Sequence, residues 1–272
     1  MKDLLKLYSF ESVHETEGEE KIFKWICKWL DLHGVKYQTM GKNIYHLTED
    51  SDNVIFSAHL DQVKTNGPAK YFRRCGGIIK GYNERWERTS LGADDKNGVW
   101  CILKLLEMGC DIDFIISEGE EKGCIGISAL ENNGVLDVID SSRICVVLDR
   151  RGNTDILRGG AGDTYCSTLA QDLCNFFGKD YKVTTGSLSD TAHLCLFCES
   201  VNMSTCYDSP HTAKETTDIS RLYELLEDLD NMLINFVHYS TDPAIYLSTY
   251  KTGKTNNTTK VGEDRWYGYW GY

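Results

Sequence analysis

The sequence predicts an α/β fold, a three-layer α/β/α sandwich in which helices cover both faces of a mixed central sheet. Short β-prone runs alternate with amphipathic segments through most of the chain, and this alternation is typical of a sheet covered on both faces. The 272 residues include only three prolines, and no Pro-rich linker divides them. A chain of this length buries enough apolar surface to fold without cross-links.

The first third of the chain predicts one helix, one strand and two hairpins. Residues 18–32 have the spacing of an amphipathic helix, with Gly34 as its C-cap. Residues 36–48 predict a short hairpin, and the run 54–58 predicts a buried strand. The glycine pairs and turn residues within 70–90 predict a second hairpin.

The rest of the chain continues the alternation of helices and strands. Residues 98–108 predict a helix, and the apolar runs 114–116 and 144–148 predict buried strands. Two further helices are expected over 163–177 and 218–237, the second with leucine and methionine at strict helical spacing. From residue 241 the pattern ends in a polar stretch followed by several aromatic residues. We therefore predict a main domain over 1–240 and a C-terminal tail or extension over 241–272.

Charge and cysteine content exclude several classes of protein. The 41 acidic and 29 basic residues give a net charge of −12, which argues against a nucleic-acid partner. No segment approaches 18 uncharged apolar residues, so no membrane span or membrane partner is expected. The eleven cysteines are an odd number without a repeating framework, which favours reduced thiols and a cytoplasmic location. Cys195 and Cys198 are interpreted as thiols of the core.

Carboxylates and imidazoles occur where the predicted strands end, and open α/β sheets place their sites at that edge. Each residue alone has a structural explanation, such as a helix cap or a solvated carboxylate. Together they would repel one another unless cations neutralise them. Histidine and carboxylate ligands suit zinc, and two divalent ions would balance this charge. The residues are His59, Asp61, Asp94, Asp95, Glu118, Glu120, Glu121, Asp149 and His211.

The order and spacing of these residues resemble the co-catalytic di-zinc exopeptidases, a superfamily that includes peptidase T and the tetrahedral aminopeptidases. The shared motifs are His59-Leu60-Asp61, Gly92-Ala93-Asp94-Asp95-Lys96 and Glu120-Glu121-Lys122-Gly123, followed by Asp149 and His211. The resemblance covers about residues 54–215. Many relatives carry an inserted lid domain, but the intervals between these motifs are too short for one here, so we expect the catalytic domain alone.

The resemblance implies a role for each matching residue. Asp94 would bridge two divalent ions, expected to be zinc, although manganese and cobalt suit the same ligands. Glu120 would be the general base for a water held between the metals, and Asp61 would orient an imidazole. The remaining ligands would be His59 and Asp149 on one ion and Glu121 and His211 on the other.

These roles imply a metal-dependent hydrolase, with an aminopeptidase acting on short peptides as the first hypothesis. A deacylase or carboxypeptidase acting on N-acyl amino acids is the alternative within enzymes, and a non-catalytic binding protein is the alternative of another class. Glu118 or Asp190 would receive a substrate amine, although Asp190 could instead cap a helix. For the deacylase or carboxypeptidase alternative, Arg150 or Arg151 would bind the carboxylate of the substrate. The sequence is compatible with a homo-oligomer.

Overall fold

The computed structural model describes residues 1–49, 54–160, 162–178 and 180–238. The predicted tail over 241–272 lies outside these ranges. Within them the chain forms helices α1 (Lys2–Tyr8), α2 (Glu17–His33), α3 (Ala93–Glu107), α4 (Ile125–Asn132), α5 (Leu169–Phe177), α6 (Thr191–Leu194) and α7 (Ile219–Asn235). Short 3-10 turns occupy Glu120–Lys122 and Val135–Val138.

The strands divide between a large sheet and a small one. The large sheet contains β1 (Gln38–Met40), β2 (Asn43–His46), β3 (Ile55–His59), β7 (Asp113–Ser117), β8 (Ile144–Arg150), β9 (Asp155–Gly160), β10 (Asp163–Thr164), β11 (Lys182–Gly186) and β12 (Glu199–Ser204). The small sheet contains β4 (Tyr71–Cys75), β5 (Ile78–Tyr82), β6 (Arg88–Thr89), β13 (Tyr207–Asp208) and β14 (Thr216–Asp218).

The large sheet is mixed, as predicted. Its strand order is β1-β2-β7-β3-β8-β12-β9-β10, and β11 also pairs with β9. Strands β7, β3, β8 and β12 are parallel, whereas β2 joins β7 and β9 joins β12 in antiparallel register. Because the four central strands run in one direction, their carboxyl ends meet at one edge.

Alternate residues of the central strands supply two apolar cores, one on each face of the large sheet. In β3, Phe56 and Ala58 join the larger core, which also contains buried residues of α1, α2, α3, α5 and α7. The neighbouring Ile55 joins the smaller core, which contains residues of α4 and α6. Helices therefore cover both faces, and the predicted three-layer sandwich is confirmed. The described ranges contain no inserted lid domain.

Several predicted boundaries differ from the structure. Helix α3 spans Ala93–Glu107 rather than starting at residue 98, although the backbone of Asp94 and Asp95 within it is not helical. The predicted helix over 163–177 begins only at Leu169, because residues 163–164 pair with β9 and the next two side chains, Tyr165 and Cys166, are buried. Helix α1 was not predicted, since its seven residues are too few for a clear period.

The predicted hairpin within 70–90 is part of the small sheet. Strands β4 and β5 pair through a turn at Gly76-Gly77, and β5 then pairs with β14. The small sheet thus joins the segment after β3 to the segment that carries His211. None of the helices in the described part of the chain is long and apolar enough to cross a membrane.

Candidate active site

Residues from five segments meet at the carboxyl edge of the central parallel strands. His59 is the last residue of β3, and Glu120 begins the 3-10 turn that follows β7. Asp149 lies near the end of β8, and Asp94 lies at the start of α3. His211 is in the loop between β13 and β14. The topology therefore gathers residues that are far apart in sequence.

The imidazole of His59 lies at the centre of one group of carboxylates. His59 as a whole is only 1% exposed. Nε2 lies 3.3 Å from Asp94 Oδ1, 3.6 Å from Asp149 Oδ1 and 3.9 Å from Glu120 Oε2. Nδ1 donates a hydrogen bond to the backbone carbonyl of Asp61 at 3.1 Å. Because a carbonyl only accepts, Nδ1 carries a proton, and Nε2 is the ring atom that would bind a metal ion after losing its own proton.

The imidazole of His211 lies in a second group on the other side of Asp94. Its Nε2 is 3.1 Å from Asp94 Oδ2 and 2.9 Å from Glu121 Oε1. The side chain of His211 is 43% exposed, whereas that of Glu121 is 7% exposed. The two oxygens of Asp94 thus face different histidines, so one carboxylate joins the two groups.

Asp61 holds the pair Glu120-Glu121 in place beside His59. Its carboxylate accepts hydrogen bonds from the backbone N–H of Glu120 at 3.0 Å and of Glu121 at 3.2 Å. Its Oδ1 is also 3.4 Å from His59 Nδ1. A single buried side chain therefore sets the position of the turn after β7 relative to the end of β3.

Asp95 anchors the beginning of α3 to β3. Its carboxylate accepts from the backbone N–H of His59 at 3.2 Å and of Gly98 at 3.1 Å. The peptide bond between Asp94 and Asp95 is cis. A Cβ at Gly98 would lie 2.3 Å from the carbonyl oxygen of Leu148, so only glycine allows α3 to approach β8 this closely.

Three further residues support the site and were not predicted from sequence. Glu215 is buried, and it accepts from the backbone N–H of Asp94 at 3.2 Å and from Ser90 Oγ at 2.5 Å. The hydroxyl of Tyr207 donates to Asp149 Oδ1 at 3.3 Å, and Asn202 Oδ1 accepts from the backbone N–H of Asp149 at 3.2 Å. The sequence signal for Glu215 is weak, a lone acidic residue four positions after His211.

Burial and neighbouring groups raise the pKa values of three residues of the site. Burial, reinforced by Asp149, raises the pKa of Glu120 well above its usual range. Burial also raises the pKa of Asp149, to about 7. Hydrogen bonds with Asp94 and Glu121 raise the pKa of His211 to about 10.

The pKa values of His59 and Asp94 depend on burial and on the oppositely charged groups around each residue. Burial opposes the charged form of His59, but Asp149, Asp61 and Asp94 outweigh it and raise the pKa of this imidazole. Burial likewise opposes the charged form of Asp94, but His211 and His59 outweigh it and lower the pKa of this carboxyl group. In the metal-free chain, protonated imidazoles therefore balance the carboxylates.

The donor set fits divalent metal ions. Ligand atoms of His59, Asp94 and Glu121 lie within 4.8 Å of one another, as do those of His59, Asp95 and Asp149. Among the described residues, His59 Nε2 and Glu121 Oε1 are buried without a well-aligned hydrogen-bond partner. Buried polar atoms normally have a partner, so a bound cation would satisfy both.

The residues expected to bind the two ends of a substrate are mostly engaged by neighbours. Glu118 accepts from the backbone N–H of Lys42 at 2.8 Å and pairs with its ammonium at 3.4 Å. Asp190 is 2% exposed and accepts from Ser117 Oγ; its side chain makes no capping hydrogen bond to α6. Arg150 pairs with Asp155 at 3.4 Å, while Arg151 is exposed.

The fold matches solved structures of peptidases. Aminopeptidase PepT from Bacillus cereus superposes with a TM-score of 0.66 at 15% identity, covering 85% of this chain and 96% of that chain. A tripeptidase from Staphylococcus aureus gives the same values. The TET1 peptidase of Pyrococcus horikoshii, which can assemble into a tetrahedron or a large octahedral shell, matches with a TM-score of 0.63 at 14% identity over 85% and 98% of the two chains.

These matches show that the chain shares the fold of these peptidases. No family model matches the chain. The uncharacterized protein YqjE of Bacillus subtilis (strain 168) is 31% identical over 152 residues, which cover 49% of this chain and 39% of that protein. The match thus spans about two fifths of the length of this curated relative.

Proposed function

We propose that this chain is a metal-dependent aminopeptidase that releases N-terminal residues from short peptides. The observation that carries the proposal is the placement of Asp94, whose two oxygens lie 3.3 Å from His59 and 3.1 Å from His211. A carboxylate shared in this way suits two neighbouring cations. The solved structures with the same fold include aminopeptidases and a tripeptidase, which supports peptide substrates.

The proposal assigns the ligands to two ions that share Asp94. His59 and Asp149 would hold one ion, and Glu121 and His211 the other. Zinc is the proposed metal, and manganese or cobalt suits the same donors. Bound divalent ions would polarise the scissile carbonyl group and make an attacking water more acidic.

Glu120 is proposed as the general base. Its side chain is 11% exposed and its Oε2 lies 3.9 Å from His59 Nε2, so its carboxylate lies beside the proposed metal ligands. It would accept the proton of the attacking water at its carboxylate and return that proton to the departing amine. Asp61 acts as a positioning residue for this step, because it holds the backbone of Glu120.

Electrostatics favour recognition of a substrate amine over a substrate carboxylate. Glu120 feels the charge of Asp190, and neither residue is assigned to a metal ion, so their carboxylates would attract an ammonium group and repel a carboxylate. Arg150, which follows Asp149 and is a candidate for binding a carboxylate, is already paired with Asp155. The deacylase or carboxypeptidase alternative therefore has less support than the aminopeptidase.

A substrate panel tests the proposal. The metal-loaded protein should hydrolyse unblocked di- and tripeptides and aminoacyl anilides, and N-acetylation should abolish hydrolysis. Faster cleavage of N-acyl amino acids would replace the aminopeptidase with the deacylase alternative. A protein that binds metal and free-amine peptides but hydrolyses none of the panel would be the non-catalytic binding protein.

The proposal extends to the organisation and the location of the chain. We assign the activity to residues 1–240, with 241–272 as an extension outside the catalytic unit. All eleven cysteines are free thiols, which supports a cytoplasmic location. A homo-oligomer is compatible with the proposal, since the TET1 peptidase of the same fold forms shells.

Metal binding should release protons from the histidines. Below about pH 10 the metal-free protein carries a proton on His211, and the raised pKa of His59 favours its protonated form, so both rings lose protons when they bind metal. Loading two ions should therefore release about one proton from each ring, together with protons held by the carboxyl groups of Glu120 and Asp149, whose pKa values burial raises. Because protons compete with metal, affinity should rise as pH increases towards the raised pKa of His211, about 10. Calorimetry in buffers of different ionisation enthalpy measures the release, and a value near zero would contradict the assignment.

Glu215 should act on metal affinity without being a ligand. The change Glu215→Gln keeps the size of the side chain but weakens its hold on the backbone of Asp94, so we expect roughly 10–100-fold weaker metal binding. Competition with a chelator measures the affinity. Glu224→Gln on the exposed face of α7 is the matched control and should leave affinity unchanged. Equal metal affinity of the Glu215→Gln and Glu224→Gln variants would show that Glu215 does not support the metal site.

A further inference from the structure

Within the residues that the structure describes, no neighbouring strand covers the outer edge of the small sheet. Its strand order ends at β4, and β4 pairs only with β5. In the described part of the chain, no backbone hydrogen bond joins the outer edge of β4 to a turn or loop. Four of its five residues are exposed, and the fifth, Phe72, packs against the larger core. An edge strand of this kind offers alternating N–H and C=O groups to another extended chain.

This edge carries positive charge on an otherwise acidic protein. Residues 70–88 contain six basic and two acidic residues, whereas the whole chain has a net charge of −12. Arg73 and Arg74 lie on β4 itself and are exposed. Neither forms an ion pair with any described residue. Their charges are therefore available to a partner.

An aromatic platform lies beside the edge. The ring of Tyr71 stacks on the ring of Trp86, with centroids 4.3 Å apart and planes 5° from parallel. Trp86 is 67% exposed and Tyr71 is 42% exposed. Together with Leu5, Phe72 and Tyr82 they line a groove of about 460 Å³ that could receive an apolar or aromatic side chain.

We propose that the outer edge of β4 binds an extended acidic segment of another polypeptide by strand addition. The backbone of β4 would supply the hydrogen bonds, Arg73 and Arg74 would pair with acidic side chains, and the Tyr71–Trp86 platform would receive a neighbouring apolar residue. This site is separate from the metal cluster and does not depend on the proposed peptidase activity.

The charges of the edge and of the whole chain favour an acidic segment over two other partners, a second copy of the chain and a nucleic acid. Antiparallel pairing of two copies of β4 about a two-fold axis would bring Arg73 and Arg74 against the same residues of the second copy, and like charges across strands destabilise pairing. A nucleic acid would match the arginines but would be repelled by the acidic remainder of the chain. Arginines on an edge deter neutral and basic strands, whereas an acidic strand gains from them.

The test uses a fluorescent hexapeptide of alternating Glu and Val or Tyr, acetylated at its N-terminus and amidated at its C-terminus. It has no free amine, so an aminopeptidase would not cleave it, and binding is measured by anisotropy on both metal-free and metal-loaded full-length protein. Saturable binding is expected, and a peptide with Lys in place of Glu should not bind. No saturable binding of the acidic peptide up to ~1 mM would overturn the proposal.

Charge reversal of the edge provides the first control. The double change Arg73→Glu with Arg74→Glu should weaken binding by about tenfold or more. Lys28→Glu with Lys36→Glu makes the same kind of reversal at exposed positions on and after α2 and should have no effect. Equal weakening in the two double variants would show only a general charge effect and would overturn the site.

Methylated peptides test the backbone contact. A strand added to β4 uses the amides of every second residue, so methylating one alternate set of peptide nitrogens should abolish binding while methylating the other set should not. Equal binding of both methylated peptides would exclude strand addition. Tighter binding of a single-stranded oligonucleotide, or a dimer that the Arg73→Glu, Arg74→Glu variant loses, would replace the peptide with a nucleic acid or with a second copy.

Discussion

Replacing Asp94 by alanine should abolish both metal binding and hydrolysis. Its two oxygens lie 3.3 Å from His59 Nε2 and 3.1 Å from His211 Nε2, so its loss should weaken both sites rather than one. We expect a loss of affinity larger than the roughly 10–100-fold that follows removal of a residue that only orients a ligand. Chelator competition and hydrolysis of an aminoacyl anilide measure the two effects.

The matched control for this variant is Asp208→Ala, at an exposed position just before the loop of His211. The Asp208→Ala variant should keep the metal affinity and the hydrolytic activity of the unmodified chain. An Asp94→Ala protein that still binds two metal ions at full affinity would contradict the shared role of Asp94.

Replacing Glu120 by glutamine should lower turnover by about 10²–10⁴-fold while metal stays bound. The change keeps the size of the side chain and its backbone contact with Asp61, but it removes the carboxylate that would take up a proton. Turnover is measured at saturating metal, and metal content is measured on the same sample.

The neighbouring change Glu121→Gln serves as the comparison, because Glu121 contacts His211 at 2.9 Å. It should weaken metal binding at one of the two sites. Loss of metal in Glu120→Gln together with full metal in Glu121→Gln would show that the two roles are reversed.

The fold was largely predictable because the buried strands are short apolar runs, the apolar residues of the long helices have helical spacing, and the turns contain glycine. The gathering of His59, Asp149 and the Glu120-Glu121 pair at one edge follows from the same pattern, since parallel strands end together. The segment before Leu169 was not predictable in the same way. There the burial of Tyr165 and the pairing of 163–164 with β9 override a helical pattern.

The supporting contacts of the site could not be predicted from sequence. Glu215 reaches Asp94 only because β14 returns to pair with β5, which is a tertiary arrangement. Glu118 was expected to bind a substrate amine, but its carboxylate accepts a hydrogen bond from the backbone N–H of Lys42, in the turn between β1 and β2. In both cases the partner comes from a distant segment, and local spacing contains no information about it.

The number of metal ions bound per chain tests the di-metal site most directly. Elemental analysis of protein loaded with zinc and then freed of excess metal should give about two ions per chain for the unmodified protein. The same measurement on the Asp94→Ala variant should give values near zero. Consistently fewer than about one ion per chain in the unmodified protein, even after loading, would contradict the di-metal site and the hydrolase proposed on it.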